Sequence, residues 1–124
     1  MKIEIKNTRG KILFTHIVEN NTIKKTLEAA VSKGAYLHRA DLRFADLKDA
    51  NLESANLRDA NLEGANLNCA DLDCANLRGA NLQGANLRLA YLIDADLSGA
   101  DLEGANLRGA SLAWVNLKNT ILEK

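Results

Sequence analysis

Leucine returns every five residues from Leu37 to Leu122, and this spacing matches no regular secondary structure. On an α-helix a five-residue step overshoots a full turn by about 140°, so the leucines would scatter around the axis. On a flat strand an odd step sends successive leucines to opposite faces. A path that bends once per repeat keeps them all on one side. Ala and Leu sit two apart, as at Ala55 and Leu57, and so share that inner side. The other three residues of each unit face outward or form the bend. There are 18 such units, with Ala in 16 of them (Val115 and Thr120 stand in the others), and repetition this regular predicts a solenoid whose units bury their inner faces by stacking. Asn or Asp precedes Leu in 14 units, the exceptions being Tyr36, Tyr91, Ser111 and Ile121. Those side chains can hydrogen-bond backbone near the corners. Gly64, Gly79, Gly84, Gly99, Gly104 and Gly109 fall at the last repeat position, where a corner with positive φ suits glycine.

Residues 1–34 follow other periods. "KIEIK" and "KILFTHIVE" alternate like strands, with "NTRG" as the turn of a β-hairpin. "NTIKKTLEAAVSKG" reads as an α-helix started by Asn21 or Thr22 and ended at Gly34, with Ile23, Leu27, Ala30 and Val31 as its apolar stripe. A solenoid end exposes strand edges and apolar interior, so this hairpin–helix segment is expected to cap the first coil. Toward the C-terminus the pattern degrades. Val115, Leu117, Thr120, Ile121 and Leu122 form a candidate self-association end, where two copies could pair as a homodimer.

The tandem A(D/N)LXX motif over residues 35–124 resembles the pentapeptide-repeat family. The resemblance implies an all-β solenoid, a right-handed quadrilateral β-helix with four repeats per coil. That makes about four and a half coils and, at the usual strand spacing, a column roughly 20 Å tall. The expected domains are the cap, 1–34, and the β-helix, 35–124. Some members of the family resemble duplex DNA and bind type II topoisomerases, so the resemblance implies as an alternative function a DNA-mimicking inhibitor or protector of such an enzyme, for example DNA gyrase.

Charge bears on that alternative. The whole chain is neutral, but residues 1–34 carry seven Lys/Arg against three Glu, and residues 35–124 nine against 13 Asp/Glu. If residues 20 apart stack, four outer faces result. The first holds Arg39, Arg58, Arg78 and Lys118 against Asp59 and Asp96. The second holds Arg43 and Lys124 against Asp41, Glu63, Asp101, Glu103 and Glu123. The third holds Lys48, Arg88 and Arg108 against Asp46 and Asp49, and the fourth holds Glu53, Asp71, Asp73 and Asp94 with no base. The sign alternates around the column, whereas duplex mimicry needs a dominant negative field. No contiguous basic patch predicts nucleic-acid binding, and no apolar run predicts a membrane partner.

Chemistry adds little. The carboxylates at positions 41, 46, 71, 96 and 101 interchange with Asn, which marks turn chemistry rather than paired catalytic acids. His16 and His38 have no matching ligand set, and Cys69 and Cys74 fall on neighbouring corners, too far apart for a disulfide. No enzyme activity, cofactor or metal is expected, and a bacterial, cytoplasmic protein with free thiols is. The informative departures are apolar. Leu89, Tyr91 and Ile93 break the polar outer positions, and one coil later Ala113 stacks over Ile93 beside Trp114. These five form a candidate protein interface near the corner of the third and fourth faces. A non-enzymatic protein-interaction or scaffold module, with a protein partner or a second copy, is the expected function.

Overall fold

The computed structural model describes residues 1–122. Glu123 and Lys124, assigned above to the second face, lie outside the described residues. Strands β1 (Lys2–Lys6) and β2 (Ile12–Ile17) pair antiparallel, with Ile5 opposite Phe14. Their turn is held by the Asn7 side chain, whose Oδ1 accepts from the Arg9 and Lys11 amides at 2.9 Å each. Helix α1 (Ile23–Ser32) begins at Thr22, whose Oγ1 accepts from the Lys25 amide at 3.1 Å. Asn21, the alternative start, is instead buried; its side chain donates to the His16 carbonyl and accepts from Thr26 Oγ1. The helix ends with the Ala35 amide on the Ala30 carbonyl and the Gly34 amide on the Val31 carbonyl. That is a Schellman closure, with Gly34 at φ +67°.

From Arg39 onward the backbone returns beside itself every 20 residues. Parallel bridges join Asp41 to Asn61, Asn61 to Asn81, Asn81 to Asp101 and Asp101 to Ile121, with the intervening repeats in the same register. Each repeat also closes a turn in which the Leu carbonyl accepts from the Ala amide three residues on, as Leu72 from Ala75 at 3.0 Å. The last residue of every described repeat has positive φ, including Arg39, Phe44, Leu89 and Trp114 as well as the six glycines. Four such corners fall in each 20-residue return. The strain at the bulky corners, of order 1–2 kcal/mol each, is carried by the core. The repeat-centre leucines from Leu37 to Leu102 are no more than 2% exposed and share one continuous cluster with the inner alanines.

All 14 Asn and Asp residues before Leu accept a hydrogen bond at Oδ1 from the amide two residues on, at 2.9–3.4 Å. Both residue types carry that acceptor, which is why they interchange. Tyr91 cannot supply it. There the Ile93 amide turns to Asp73 Oδ1 of the preceding coil, at 2.8 Å.

The N-terminal elements meet the first coil through both apolar and polar contacts. Ile5, Leu27 and Ala30 belong to the same buried cluster as the repeat leucines. The backbone after β1 continues the pairing: Thr8 donates to the Arg39 carbonyl and Asp41 to the Lys6 carbonyl, at 3.0 and 2.7 Å. The Asn51 amide donates to Glu28 Oε2 at 2.7 Å, where deeper in the column the equivalent amide finds a carbonyl 21 residues back. At the other end the inner residues open to solvent. Leu112, Leu117 and Leu122 are 36%, 38% and 54% exposed.

Corner side chains lie along the column. A Cβ on Gly64 would stand 2.5 Å from Phe44 Cδ1, whereas one on Gly84, also at φ +65°, would meet nothing within 4 Å. Both alanine substitutions should carry the backbone strain of roughly 1–2 kcal/mol. Gly64→Ala should lose about 1–3 kcal/mol more in urea unfolding because the ring must move. In a Phe44→Ala background the two losses should become equal; equal losses without it would mean that the ring moves aside freely.

The hydrogen bonds of the Asp side chains also make stability depend on pH. The Arg43 side chain holds the Asp41 carboxyl below the ordinary carboxylate range, and the Ser98 hydroxyl does the same for Asp96. A carboxyl lowered in the folded state contributes stability that is complete above its unfolded pKa and lost as pH falls through the folded value. The urea midpoint should therefore stay level down to about pH 5 and drop below about pH 4. Asp96→Asn keeps the acceptor oxygen and should make that drop shallower. A midpoint that holds steady to about pH 2.5 would contradict this linkage.

Candidate functional site

The 20-residue register places each outer residue on one of four faces, and the fourth is chemically distinct. It comprises 50–54, 70–74, 90–94 and 110–114 and contains no Lys or Arg. Its first two coils carry Glu53, Asp71 and Asp73. Helix α1 adds Glu28 beside them, across a hollow of about 480 Å³ also lined by Val31, Ser32, Asn51 and Ser54. Its third and fourth coils carry Tyr91, Ile93, Ala113 and Trp114, and Leu89 stands at the corner it shares with the third face.

Leu89, Tyr91 and Trp114 are exposed, Trp114 at 85%, while Ile93 is half-buried. Ala113 lies one coil beyond Ile93, with its carbonyl accepting from the Asp94 amide at 3.0 Å. The five residues spread further than expected. Leu89, at φ +61°, occupies the corner of the third and fourth faces, but Trp114, at φ +59°, stands at the next corner, between the fourth and first faces. The reason is the repeat length: both are last residues of their units, so a full side of the column separates their corners. Tyr91 and Ile93 lie between. Leu89 leans along the column, its Cδ2 filling the space over Gly109.

Cys74 sits on the same face and responds to its charge. Partial desolvation pushes the thiol pKa up, and the carboxylates of Asp94, Asp73, Glu53 and Asp71 push it further. Cys69 and Cys74 are free thiols, each at a corner with φ +61°. The remaining candidates are dispersed. His38 Nε2 meets Asp59 Oδ2 at 2.8 Å, with Tyr36 packed 5.4 Å from the imidazole, and His16 lies against Phe14 in the hairpin. Among the described residues no group of three or more His, Cys, Asp or Glu could hold a metal ion. Among the described residues no helix is long and apolar enough to cross a membrane.

Several exposed apolar residues escaped the sequence reading: Ile12, Ile17, Tyr36 and Phe44. Tyr36 breaks the Asn/Asp pattern just as Tyr91 does, and Phe44 is a bulky residue at a corner position, so both signals were present. Ile12 and Ile17 belong to a strand whose outward side only the docking of the hairpin decides. At the other end, Val115 and Thr120 are half-buried, whereas Leu117, Ile121 and Leu122 are exposed.

The family model for pentapeptide repeats matches eight times, over residues 27–53, 35–73, 45–84, 70–109 and 85–123. No curated protein is similar enough to the chain to count as a match. Among solved structures, HetL of the cyanobacterium Nostoc sp. strain PCC 7120, a pentapeptide repeat protein involved in heterocyst differentiation regulation, is 42% identical with a TM-score of 0.69. That likeness covers 69% of this chain and 40% of HetL. The pentapeptide repeat protein alr5209 of Nostoc PCC 7120 is 39% identical, with a TM-score of 0.64, over 80% of this chain and 84% of its own. A pentapeptide repeat protein of the Arabidopsis thaliana thylakoid lumen is 36% identical, with a TM-score of 0.62, over 64% and 56%. The chain thus spans less than two thirds of HetL and of the plant protein. The matching model describes a structural repeat and indicates no catalytic family. With its model covering the repeats from end to end, the chain belongs to the pentapeptide-repeat family.

Proposed function

We propose that this protein is a non-enzymatic interaction or scaffold module of the cytoplasm. In this reading it is a right-handed quadrilateral β-helix of about four and a half coils, capped by the hairpin and helix of residues 1–34. The observation that carries the proposal is the apolar group of Leu89, Tyr91, Ala113 and Trp114, all exposed, with half-buried Ile93 among them, on a column whose other outer positions are mostly polar. Tyr and Trp are favoured interface anchors, since each brings a large contact area with few rotatable bonds. The backbone supports the exception at Tyr91, where Asp73 supplies the acceptor that the usual Asn or Asp would provide.

The open end is the second proposed contact. Inner leucines that are fully covered deeper in the column are partly exposed there, and pairing two such ends would bury them. Val115, Leu117, Thr120, Ile121 and Leu122 would form that homodimer contact. Duplex mimicry toward a type II topoisomerase such as DNA gyrase is the rival role, and the basic residues of the first and third faces weigh against it.

Three measurements separate these readings. Chemical cross-linking in lysate should capture a partner that Leu89→Glu/Ile93→Glu/Trp114→Glu loses, with the variant's circular dichroism unchanged. Capture of the same proteins by both forms would remove the cluster from the interface. Sedimentation should show a dimer that Leu117→Lys dissociates, and a monomer at all concentrations would end the self-association proposal. A gyrase supercoiling assay should show no inhibition at micromolar protein, and dose-dependent inhibition would reinstate mimicry.

A further inference from the structure

The fourth face is divided along the column axis. Its early coils present Glu53, Asp71 and Asp73, joined by Glu28 of α1, and its late coils present Tyr91, Ile93 and Trp114 together with Asp94, with Leu89 at the corner shared with the third face. From the first to the fourth coil is about three strand spacings, or roughly 14 Å, a distance that about ten residues of helix span. No Lys or Arg on this face neutralises the carboxylates, and no ion pair within the described residues engages Glu53, Asp71, Asp73 or Asp94. Arg88 and Arg108 belong to the third face, around the corner from Leu89.

An apolar anchor bordered on one side by uncompensated negative charge selects a partner by charge complementarity. The geometry points to a basic amphipathic peptide segment as the partner of the fourth face, its apolar residues on Leu89, Tyr91 and Trp114 and its Lys or Arg residues over Asp71, Asp73 and Glu53. This rests on the reading of the apolar cluster as an interface and adds the chemistry of what binds it. The Cys74 thiol pKa, raised first by desolvation, is raised further by Asp94, Asp73, Glu53 and Asp71, which is consistent with the negative potential that such a segment would meet.

Trp114 is the single tryptophan of the chain, so its emission reports directly on this surface. The probes are a synthetic amphipathic Leu/Lys peptide of about 14 residues, long enough to cover the face as a helix, the same peptide with Glu for Lys, and an all-Lys peptide of equal length. The Leu/Lys peptide should shift Trp114 emission to the blue saturably, and affinity should fall roughly tenfold or more in Asp71→Asn/Asp73→Asn/Asp94→Asn. That variant keeps its fold because Asn retains the Oδ1 acceptors used by the Asp73 and Ile93 amides. Leu89→Ser/Tyr91→Ser should weaken the same binding.

Equal binding of the Leu/Glu peptide, or undiminished binding by the triple Asn variant, would overturn the basic partner while leaving the apolar interface standing. Equal binding of the all-Lys peptide would overturn the apolar anchor. No response to any peptide would overturn the inference. The interface itself would also fall if cross-linking then captured nothing that depends on Leu89, Ile93 and Trp114.

Discussion

At every fifth residue the backbone passes through the left-handed region, with φ between 57° and 73° at the described corners of the repeats. This corner is the constraint on which the column depends. It turns an odd repeat length, which would scatter leucines in a helix or a flat strand, into a path that returns beside itself after 20 residues. Glycine adopts the corner without strain, and the chain uses it at six of these positions. Elsewhere the cost falls on residues as large as Phe44 and Trp114. The return register offsets it, because each coil satisfies its neighbour's amides and carbonyls while sealing Ala and Leu inside.

Because the inside is so uniform, the outside is free to vary, within one rule. In 14 of the 18 repeats the residue before Leu is an Asn or Asp that offers an acceptor to the amide two positions on. Tyr91 breaks the rule and is accommodated by a carboxylate one coil away. A side chain that ordinarily only decorates the fourth face there becomes part of the backbone's hydrogen bonding. The large exposed side chains at positions 89, 91 and 114 therefore sit on a rigid support, which limits the entropy lost when a partner covers them.

The two ends of the column differ in how their edges are met. At the start, the backbone after β1, the Glu28 carboxylate and the apolar side of α1 each meet part of the first coil. In the last described coil the inner leucines progressively lose cover. An end unit of a solenoid has a neighbouring unit on one side only, so what meets its other side decides how well it is covered.

The repeat from Leu37, the hairpin, a helix start at Asn21 or Thr22 and its stop at Gly34, and the hydrogen-bonding role of Asn and Asp were all legible in the sequence. Each is a local preference or a periodicity, and these follow from backbone sterics and from the side chain's own reach. That residues 89, 91, 93, 113 and 114 are apolar where outer positions are usually polar could be read from the sequence, but not how far apart they stand. That Trp114 and Leu89 stand at different corners follows only once every repeat's last residue is seen to turn. The Asp73 support of Ile93, the Glu28 contact with Asn51, the His38–Asp59 pair and the Phe44 ring over Gly64 were decided by the tertiary structure. All four join residues 20 to 23 apart, so they depend on which coils become neighbours and on which rotamer each side chain adopts there. A periodic sequence determines that such neighbours exist. Only the packed column determines what they do to each other.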